Sequence, residues 1–182
     1  PFSVERDGTR VGFDVELAER FAREAGMRIE WVSFRWPELA GDVAADRFDV
    51  AMSGVTATPE RAVIGYLTRA VATSGPCVLG SATPKRVAVN RGGALERFAR
   101  RRFDAAEVRA VDGNLSLPEL LARGEVDAIV TDRFEITHFR GRGKGAWPES
   151  CEPPVDRKVF WVAPARAHDL GPRLDAWLAR NE

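Results

Sequence analysis

V-D-A-I-V-T-D-R-F-E-I, the stretch from Val126 to Ile136, decides how this chain folds. Its first five residues are largely apolar and predict a short buried strand. The polar pair Thr131 and Asp132 follows as a turn that opens a helix containing Glu135. Because open α/β sheets bind their ligands at the carboxyl ends of strands, a functional site is expected at this position. The stretch therefore places two carboxylates, Asp132 and Glu135, within one helical turn at a predicted ligand site.

The length and composition of the chain limit the classes of protein it can be. Its 182 residues, 45% of them hydrophobic, suffice for one domain of ordinary size or for two small lobes. The formal net charge is +0, so no overall field attracts nucleic acid, and we expect no nucleic-acid partner. No apolar run is long enough to cross a bilayer, and no signal peptide is visible. Because the sequence begins with Pro1 and not with Met, we interpret it as a mature or trimmed product.

Helix and strand patterns alternate along the chain, which favours an α/β fold with a largely parallel sheet. Asp14 is interpreted as the N-cap of the first helix. The segment Leu79 to Lys85 is small, polar and interrupted by Gly and Pro, so we interpret it as a crossing between two lobes. The strand Lys158 to Val162 is interpreted as the return crossing. The predicted organisation is lobe 1 over 1–79, completed by 161–182, and lobe 2 over 86–158, with crossings near 80–85 and 158–162.

Polar residues occupy four predicted strand ends, and together they form the candidate site. They are Ser53, Thr56 and Arg61; Asn90, Gly92 and Gly93; Thr131, Asp132 and Glu135; and Lys158. Thr58 to Arg61 reads as the N-cap and first three positions of a helix. Arg61 there suits a carboxylate ligand, because the free N–H groups attract an anion that a guanidinium binds in bidentate fashion. A surface arginine that happens to follow a cap is the alternative explanation.

Other candidate residues also have purely structural explanations. The pair Gly92-Gly93 can let backbone amides approach a second anion, or it can be an ordinary turn. Asp132 and Glu135 have the spacing of a capping box, in which Glu135 reaches back to the N-cap amide. Lys158 can be a charged residue at the start of a strand, and Trp36 can be partly buried packing.

Cysteine and histidine usage gives little further chemistry. Cys77 and Cys151, the only cysteines, can form one disulfide or remain as buried free thiols. His138 and His168 lie neither near each other nor near a cysteine at ligand spacing, so no metal site is predicted. No nucleophile motif indicates covalent catalysis.

Three segments resemble the polar-amino-acid periplasmic solute-binding proteins, family 3. They are G-F-D-V-E-L-A (12–18), R-F-D-V-A-M-S-G-V-T-A-T-P-E-R (47–61) and G-E-V-D-A-I-V-T-D (124–132). The resemblance implies a two-lobed, type II periplasmic-binding-protein-like α/β fold with a ligand cleft between the lobes, and a periplasmic or exported location. It implies that Arg61 binds the α-carboxylate of a ligand and that Asp132 binds its α-amino group. Membrane subunits of an ABC transporter are the partners it implies for a non-catalytic member.

Further segments are similar to the enzyme branch of this family, the cyclohexadienyl dehydratases. They are R-W-P-E-L (35–39), M-S-G-V-T (52–56), V-N-R-G-G (89–93), T-D-R-F-E (131–135) and R-K-V-F-W-V-A-P (157–164). This resemblance implies that Glu135 is a general acid and that Trp36, Asn90 and Lys158 shape and charge the site. The implied reaction is the decarboxylating dehydration of prephenate or arogenate, for which no cofactor is needed. The alternative is a binding protein that delivers an amino acid or another carboxylate to a transporter.

Overall fold

The structure, a computed structural model, describes residues 2–140 and 147–181. Its strands, in chain order, are β1 (Val4–Arg6), β2 (Thr9–Val11), β3 (Val50–Ala51), β4 (Tyr66–Leu67), β5 (Ala72–Ser74), β6 (Pro76–Gly80), β7 (Arg86–Asn90), β8 (Glu107–Val111), β9 (Ala128–Asp132), β10 (Glu149–Cys151), β11 (Asp156–Lys158) and β12 (Trp161–Val162). Its helices are α1 (Phe13–Glu24), α2 (Leu39–Ala44), α3 (Pro59–Ile64), α4 (Ala94–Arg102), α5 (Leu117–Ala122), α6 (Arg133–Arg140) and α7 (Leu170–Arg180). Within the described ranges, no helix combines the length and apolarity needed to cross a lipid bilayer.

The chain divides into two compact units. The first comprises Pro1–Phe34, Glu38–Thr73 and Asp156–Glu182, and the second comprises Arg35–Pro37 and Ser74–Val155. Apart from the short segment 35–37, the chain therefore passes between the units at Thr73–Ser74 and at Val155–Asp156. The strands at these two passages, β5 and β11, pair as a two-stranded sheet.

The crossing predicted at 80–85 lies inside the second unit instead. Gly80 ends β6 and Arg86 begins β7, and both strands belong to one sheet. Asp127 holds this connection, since its backbone oxygen accepts from Ser81 N at 2.9 Å and its Oδ2 accepts from Lys85 N at 3.0 Å. Glycine and proline mark turns within a lobe as strongly as links between lobes, so composition did not separate the two.

The return crossing is also displaced from its predicted position at 158–162. Lys158 ends β11 and Trp161 begins β12, and both strands lie in the first unit. An extended run after a Gly/Pro-rich loop reads alike whether it links lobes or belongs to one of them, which explains the shift.

The first unit is built on the antiparallel sheet β3-β12-β4. Helices α1 and α7 cover a core in which the rings of Phe21 and Trp177 meet edge to face, 5.6 Å between centroids. Phe160 and Leu174 are buried in the same core. This packing fixes β12, and with it the neighbouring residue Lys158, relative to the helices.

The second unit is built on the five-stranded sheet β10-β6-β9-β7-β8. The pairs β9-β7 and β7-β8 are parallel, whereas β6 pairs with β9 and β10 pairs with β6 in antiparallel fashion. The predicted parallel arrangement thus holds for the three strands β9, β7 and β8. Strand β6, which follows the passage at Ser74, runs antiparallel to β9. Thr131 and Asp132, predicted as a turn, are the last two residues of β9.

A disulfide joins β6 to β10. Cys77 and Cys151 lie directly opposite each other in the register of these antiparallel strands, and their sulfur atoms are bonded. Of the two possibilities that the sequence left open, the structure contains the bridge. It links strands whose cysteines are 74 residues apart in the chain.

Candidate functional site

Helix α3 begins as its sequence predicts. Thr58 is the N-cap, its Oγ1 accepts a hydrogen bond from Arg61 N at 3.3 Å, and Pro59 occupies the first helical position. The extended conformation that Thr58 adopts before a proline favours this start. The capping prediction is therefore confirmed, and it places Arg61 in the first turn of the helix.

The Arg61 side chain has contacts with residues of the first unit. Nη1 donates to the backbone oxygen of Thr56 at 2.5 Å, and the guanidinium carbon lies 5.5 Å from the ring centroid of Trp161. Trp161 is fully buried, so its ring is a fixed surface under the half-buried arginine. The sequence did not indicate this contact, because it depends on the pairing of β12 rather than on any local pattern.

Lys158 also contacts Thr56, the residue that Arg61 contacts. Its Nζ donates to Thr56 Oγ1 at 2.9 Å, and the two residues form a β-bridge. Lys158 is only 3% exposed, and its Nζ lies 5.9 Å from the ring centroid of Phe2. Thr56 thus connects two cations, and we call Arg61, Thr56 and Lys158 the cationic cluster of the first unit.

Asp14 completes this part of the first unit, although the sequence predicted it only as a helix cap. The N-cap of α1 is Gly12, and Asp14 Oδ2 accepts hydrogen bonds from Ser53 N at 2.7 Å and Gly54 N at 2.9 Å. Burial raises the pKa of Asp14 to about 6, and the two amides and the charge of Lys158 oppose this effect only in part. Ser53 and Gly54 have φ values of 90° and 74°, so Asp14 stabilises a backbone conformation that L-residues rarely adopt.

In the second unit, Asp132 lies at the end of β9 and caps α6. Its Oδ1 accepts hydrogen bonds from Phe134 N at 3.0 Å and from Ser74 Oγ at 2.5 Å. Asp132 is 5% exposed. The sequence predicted the cap, but it did not indicate Ser74, which lies on a different strand.

Glu135 lies in the first turn of α6 and is 9% exposed. A carboxyl group at this depth loses most of its hydration, which is one condition for a general acid. Thr131 is fully buried, and no hydrogen-bond partner for its Oγ1 occurs among the described residues. Because side chains alternate along a strand, Thr131 and Asp132 point to opposite faces of β9. The predicted ligand contact of Thr131 stays a prediction.

Asn90 and Gly92 have internal partners in the second unit. Asn90 Oδ1 accepts from Gly113 N at 3.0 Å, which leaves the side-chain NH₂ as its donor group. Gly92 N donates to Glu96 Oε2 at 2.7 Å, and this bond is the largest cause that lowers the pKa of Glu96. The protein's own carboxylate thus occupies the position that we predicted for a ligand anion at Gly92.

Gly93 and Trp36 are the chain neighbours of Gly92 and Pro37, two residues that approach each other. Gly93 is the N-cap of α4, and a Cβ added there would meet no atom within 4 Å. Gly92, with φ 83°, approaches Pro37 so closely that an added Cβ would lie 3.0 Å from its Cα. Trp36 is half-buried in the turn beside Pro37. The predicted site residues Trp36, Asn90, Gly92 and Gly93 are therefore brought into one region of the second unit.

Potential metal ligands meet at the disulfide. Among the described residues, Cys77, Glu149 and Cys151 are a group whose ligand atoms all lie within 4.8 Å of one another. Their two sulfur atoms are bonded to each other, so neither is a thiolate.

The amino-acid sequence matches one protein-family model and several known proteins over much of its length. The sequence model of the bacterial extracellular solute-binding proteins, family 3, matches residues 1–131. The cyclohexadienyl dehydratase of Pseudomonas aeruginosa is 32% identical over 150 residues, which are 74% of this chain and 56% of that enzyme. The L-cystine-binding protein TcyJ of Escherichia coli K12 is 27% identical over 147 residues, 74% of this chain and 55% of that protein. The chain spans little more than half the length of these curated relatives.

A solved structure extends the similarity to nearly the whole chain. An ancestral amino acid-binding protein, described as a precursor of cyclohexadienyl dehydratase, superposes with a TM-score of 0.87 at 25% identity. The match covers 99% of this chain and 84% of that chain. It confirms the predicted α/β fold of the periplasmic-binding-protein type. Since the family model covers more than half of the residues, including the segment from Ser53 to Arg61, the chain belongs to the bacterial extracellular solute-binding proteins, family 3.

Proposed function

We propose that this protein binds a small-molecule carboxylate or an amino acid and acts as a cyclohexadienyl dehydratase on prephenate, arogenate or both. The observation that carries the proposal is the burial of Glu135, which is 9% exposed one helical turn from the cap Asp132. A protein that only binds an amino acid has no need of a buried carboxyl group at this position beyond a capping role. The similarity to the dehydratase of Pseudomonas aeruginosa supports the same assignment.

The binding step is assigned to groups of complementary charge. Arg61 receives the α-carboxylate, since its side chain is held by Thr56 and stacked on Trp161. Ser53 and Thr56 are assigned as further ligand contacts on the same unit. Asp132 receives the α-amino group of the ligand, where the ligand has one.

The chemical step needs one proton and no cofactor. Glu135 donates a proton to the ring hydroxyl, which leaves as water. The bond between the ring and its carboxylate breaks, carbon dioxide departs, and the electron pair of that bond completes the aromatic ring. Prephenate gives phenylpyruvate and arogenate gives phenylalanine. Glu135 then recovers its proton from solvent.

The remaining predicted site residues are assigned supporting roles. Trp36 supplies an apolar surface, and the NH₂ group of Asn90 is a hydrogen-bond donor for the substrate. Lys158 is buried and bonded to Thr56, so we assign it an electrostatic role through Thr56 rather than a proton transfer. Its charge favours binding of a substrate that carries two carboxylates.

A second candidate function is a non-catalytic, exported binding protein that delivers an amino acid to the membrane subunits of an ABC transporter. The observation that favours it is the internal bonding of two predicted site residues, Lys158 with Thr56 and Asn90 with Gly113. These bonds give both side chains a structural role that does not require chemistry. The L-cystine-binding relative fits this alternative.

One experiment separates the two functions. The protein is mixed with prephenate or L-arogenate, and phenylpyruvate or phenylalanine formation is followed by absorbance and chromatography. The same preparation is heated with a panel of amino acids to detect ligands by a rise in melting temperature. Turnover supports the dehydratase. Melting shifts without turnover support the binding protein. The absence of both turnover and melting shifts contradicts both functions.

A further inference from the structure

The first unit contains a β-bulge between Ala51 and Thr56. Ala51 lies opposite Trp161, and Thr56 lies opposite Lys158, in two antiparallel pairings. Four residues therefore separate the paired positions on one side, and only two separate them on the other. The extra residues bend the chain, as bulges do beside many functional sites, where they re-aim a side chain.

Ser53 and Gly54 lie at the centre of this bulge and have φ values of 90° and 74°. A serine at positive φ is strained, and such a conformation persists only where the surrounding structure stabilises it. Gly54 packs against the ring of Phe2 so closely that an added Cβ would lie 2.5 Å from Cδ2 of that ring. The amides of Ser53 and Gly54 both donate to Asp14 Oδ2, at 2.7 Å and 2.9 Å. Asp14 is therefore the acceptor that holds the centre of the bulge.

Asp14 is itself fixed and out of reach of a ligand. It is only 1% exposed, so its carboxylate acts on the bulge and not on a bound molecule. Its backbone N–H donates to Phe2 O at 3.0 Å, which ties it to the residue that packs on Gly54. Removing the carboxylate would leave two amides without their acceptor, which costs free energy. The bulge would then relax to a conformation that pairs these amides elsewhere, and Ser53 would move with it.

We propose that Asp14 is a positioning residue that holds Ser53 in its ligand-binding orientation through the backbone amides of Ser53 and Gly54. The affinity of the first unit for its ligand then depends on a carboxylate that the ligand does not touch. The inference rests on the proposed function, in which Ser53 is a ligand contact, and deepens it by naming the group that fixes this contact.

A double-mutant cycle between Asp14 and Ser53 tests the inference. The probes are prephenate, L-arogenate and L-cystine, the last after the relative TcyJ. Calorimetry on Glu135→Gln protein measures their affinities, so that turnover does not deplete the substrate. Ser53→Ala should weaken binding of the tightest probe by about fivefold and Asp14→Ala by about tenfold, as for a neutral and a charge-assisted hydrogen bond. In the Asp14→Ala background, Ser53→Ala should cost less than about twofold, because Ser53 has already left the ligand.

Two further variants complete the design. Asp14→Asn keeps an acceptor oxygen without the charge, so it should weaken binding by only about threefold, and it replaces Asp14→Ala in the cycle if that variant does not fold. Asp175→Ala is the matched control, because Asp175 is another carboxylate of the first unit that accepts a backbone amide. Its partners are Arg69 N at 2.6 Å and the hydroxyl of Tyr66 at 2.6 Å, and neither residue is an assigned ligand contact. This control should lower the melting temperature and leave the affinity unchanged.

Three results would overturn the inference while the proposed function stands. The first is wild-type affinity in Asp14→Ala protein, or in Asp14→Asn protein where it replaces the alanine variant. The second is an equal loss from Ser53→Ala in both backgrounds, and the third is no loss from Ser53→Ala at all, since Asp14 then has no contact to position. Binding of none of the three probes contradicts the proposed function itself, and the inference falls with it.

Discussion

Asp14 accepts a hydrogen bond from the backbone N–H of Ser53, with 2.7 Å between Oδ2 and the nitrogen. A second bond from Gly54 N at 2.9 Å directs both amides of a positive-φ turn at one carboxylate. The carboxylate is buried beside Lys158, and its remaining oxygen, Oδ1, has no hydrogen-bond partner among the described residues. The turn that carries the candidate ligand contact Ser53 thus depends on a buried acidic group.

This burial makes stability depend on pH. The folded pKa of Asp14, about 6, lies above its ordinary value, so the folded protein binds the proton more tightly than the unfolded chain. Stability from this group therefore rises as the pH falls from about 6 to about 4, by up to about 3 kcal/mol. We expect the unfolding free energy of the wild type minus that of Asp14→Asn to increase between pH 7 and pH 4. Urea unfolding at a series of pH values measures this difference, and a difference that stays constant or decreases contradicts the assignment.

Local patterns in the sequence predicted the parts of the fold that neighbouring residues determine. The start of α3 at Thr58 and Pro59 is such a case, because an N-cap contacts only the next three residues. The strand that ends at Asp132 and the helix after it were also predicted, with a shift of two residues.

Contacts between distant segments were not predicted. Asp14 meets Ser53 across 39 residues, and Ser74 meets Asp132 across 58. Such pairs depend on strand register and helix docking, which one sequence does not reveal. The acidic partner of Gly92 was missed for a different reason, since this contact is local and was overlooked. A Glu four residues along the chain, Glu96, was a visible signal for it.

The Arg61 side chain gives a direct test of the carboxylate site. Arg61→Ala should weaken binding of L-arogenate or of a bound amino acid by about 2–5 kcal/mol, because the ligand carboxylate loses its bidentate partner. Arg61→Lys should recover only part of this, since an ammonium group lacks the planar fork. Calorimetry measures both changes.

Arg47→Ala is the control for loss of positive charge from the first unit. Arg47 forms an ion pair with Asp42 at 2.8 Å, and its side chain is half exposed, so its removal should leave affinity unchanged. If Arg61→Ala binds as tightly as Arg47→Ala does, the carboxylate site lies elsewhere.

The disulfide between Cys77 and Cys151 should contribute to stability. A bridge between residues 74 positions apart restricts the unfolded chain, which corresponds to about 4 kcal/mol in the chain-entropy description. Denaturation in the presence of a dithiol reductant should therefore shift to lower urea concentration. The Cys77→Ala/Cys151→Ala variant should not respond to the reductant. An identical midpoint for reduced and oxidised wild-type protein would contradict a stabilising role for the bridge.

Glu135→Gln separates a general acid from a helix cap. Glutamine keeps the shape and the capping capacity of glutamate but has no carboxyl proton to transfer. We therefore expect substrate binding and unfolding free energy to remain close to wild type, while turnover of prephenate or L-arogenate falls by roughly 10²-fold or more. Glu119→Gln, in the first turn of α5 and largely exposed, is the matched control and should leave turnover unchanged. Stopped-flow absorbance gives the rate, and calorimetry gives the affinity. A Glu135→Gln protein that turns over substrate at the wild-type rate would remove Glu135 from the mechanism and leave it as part of the cap of α6.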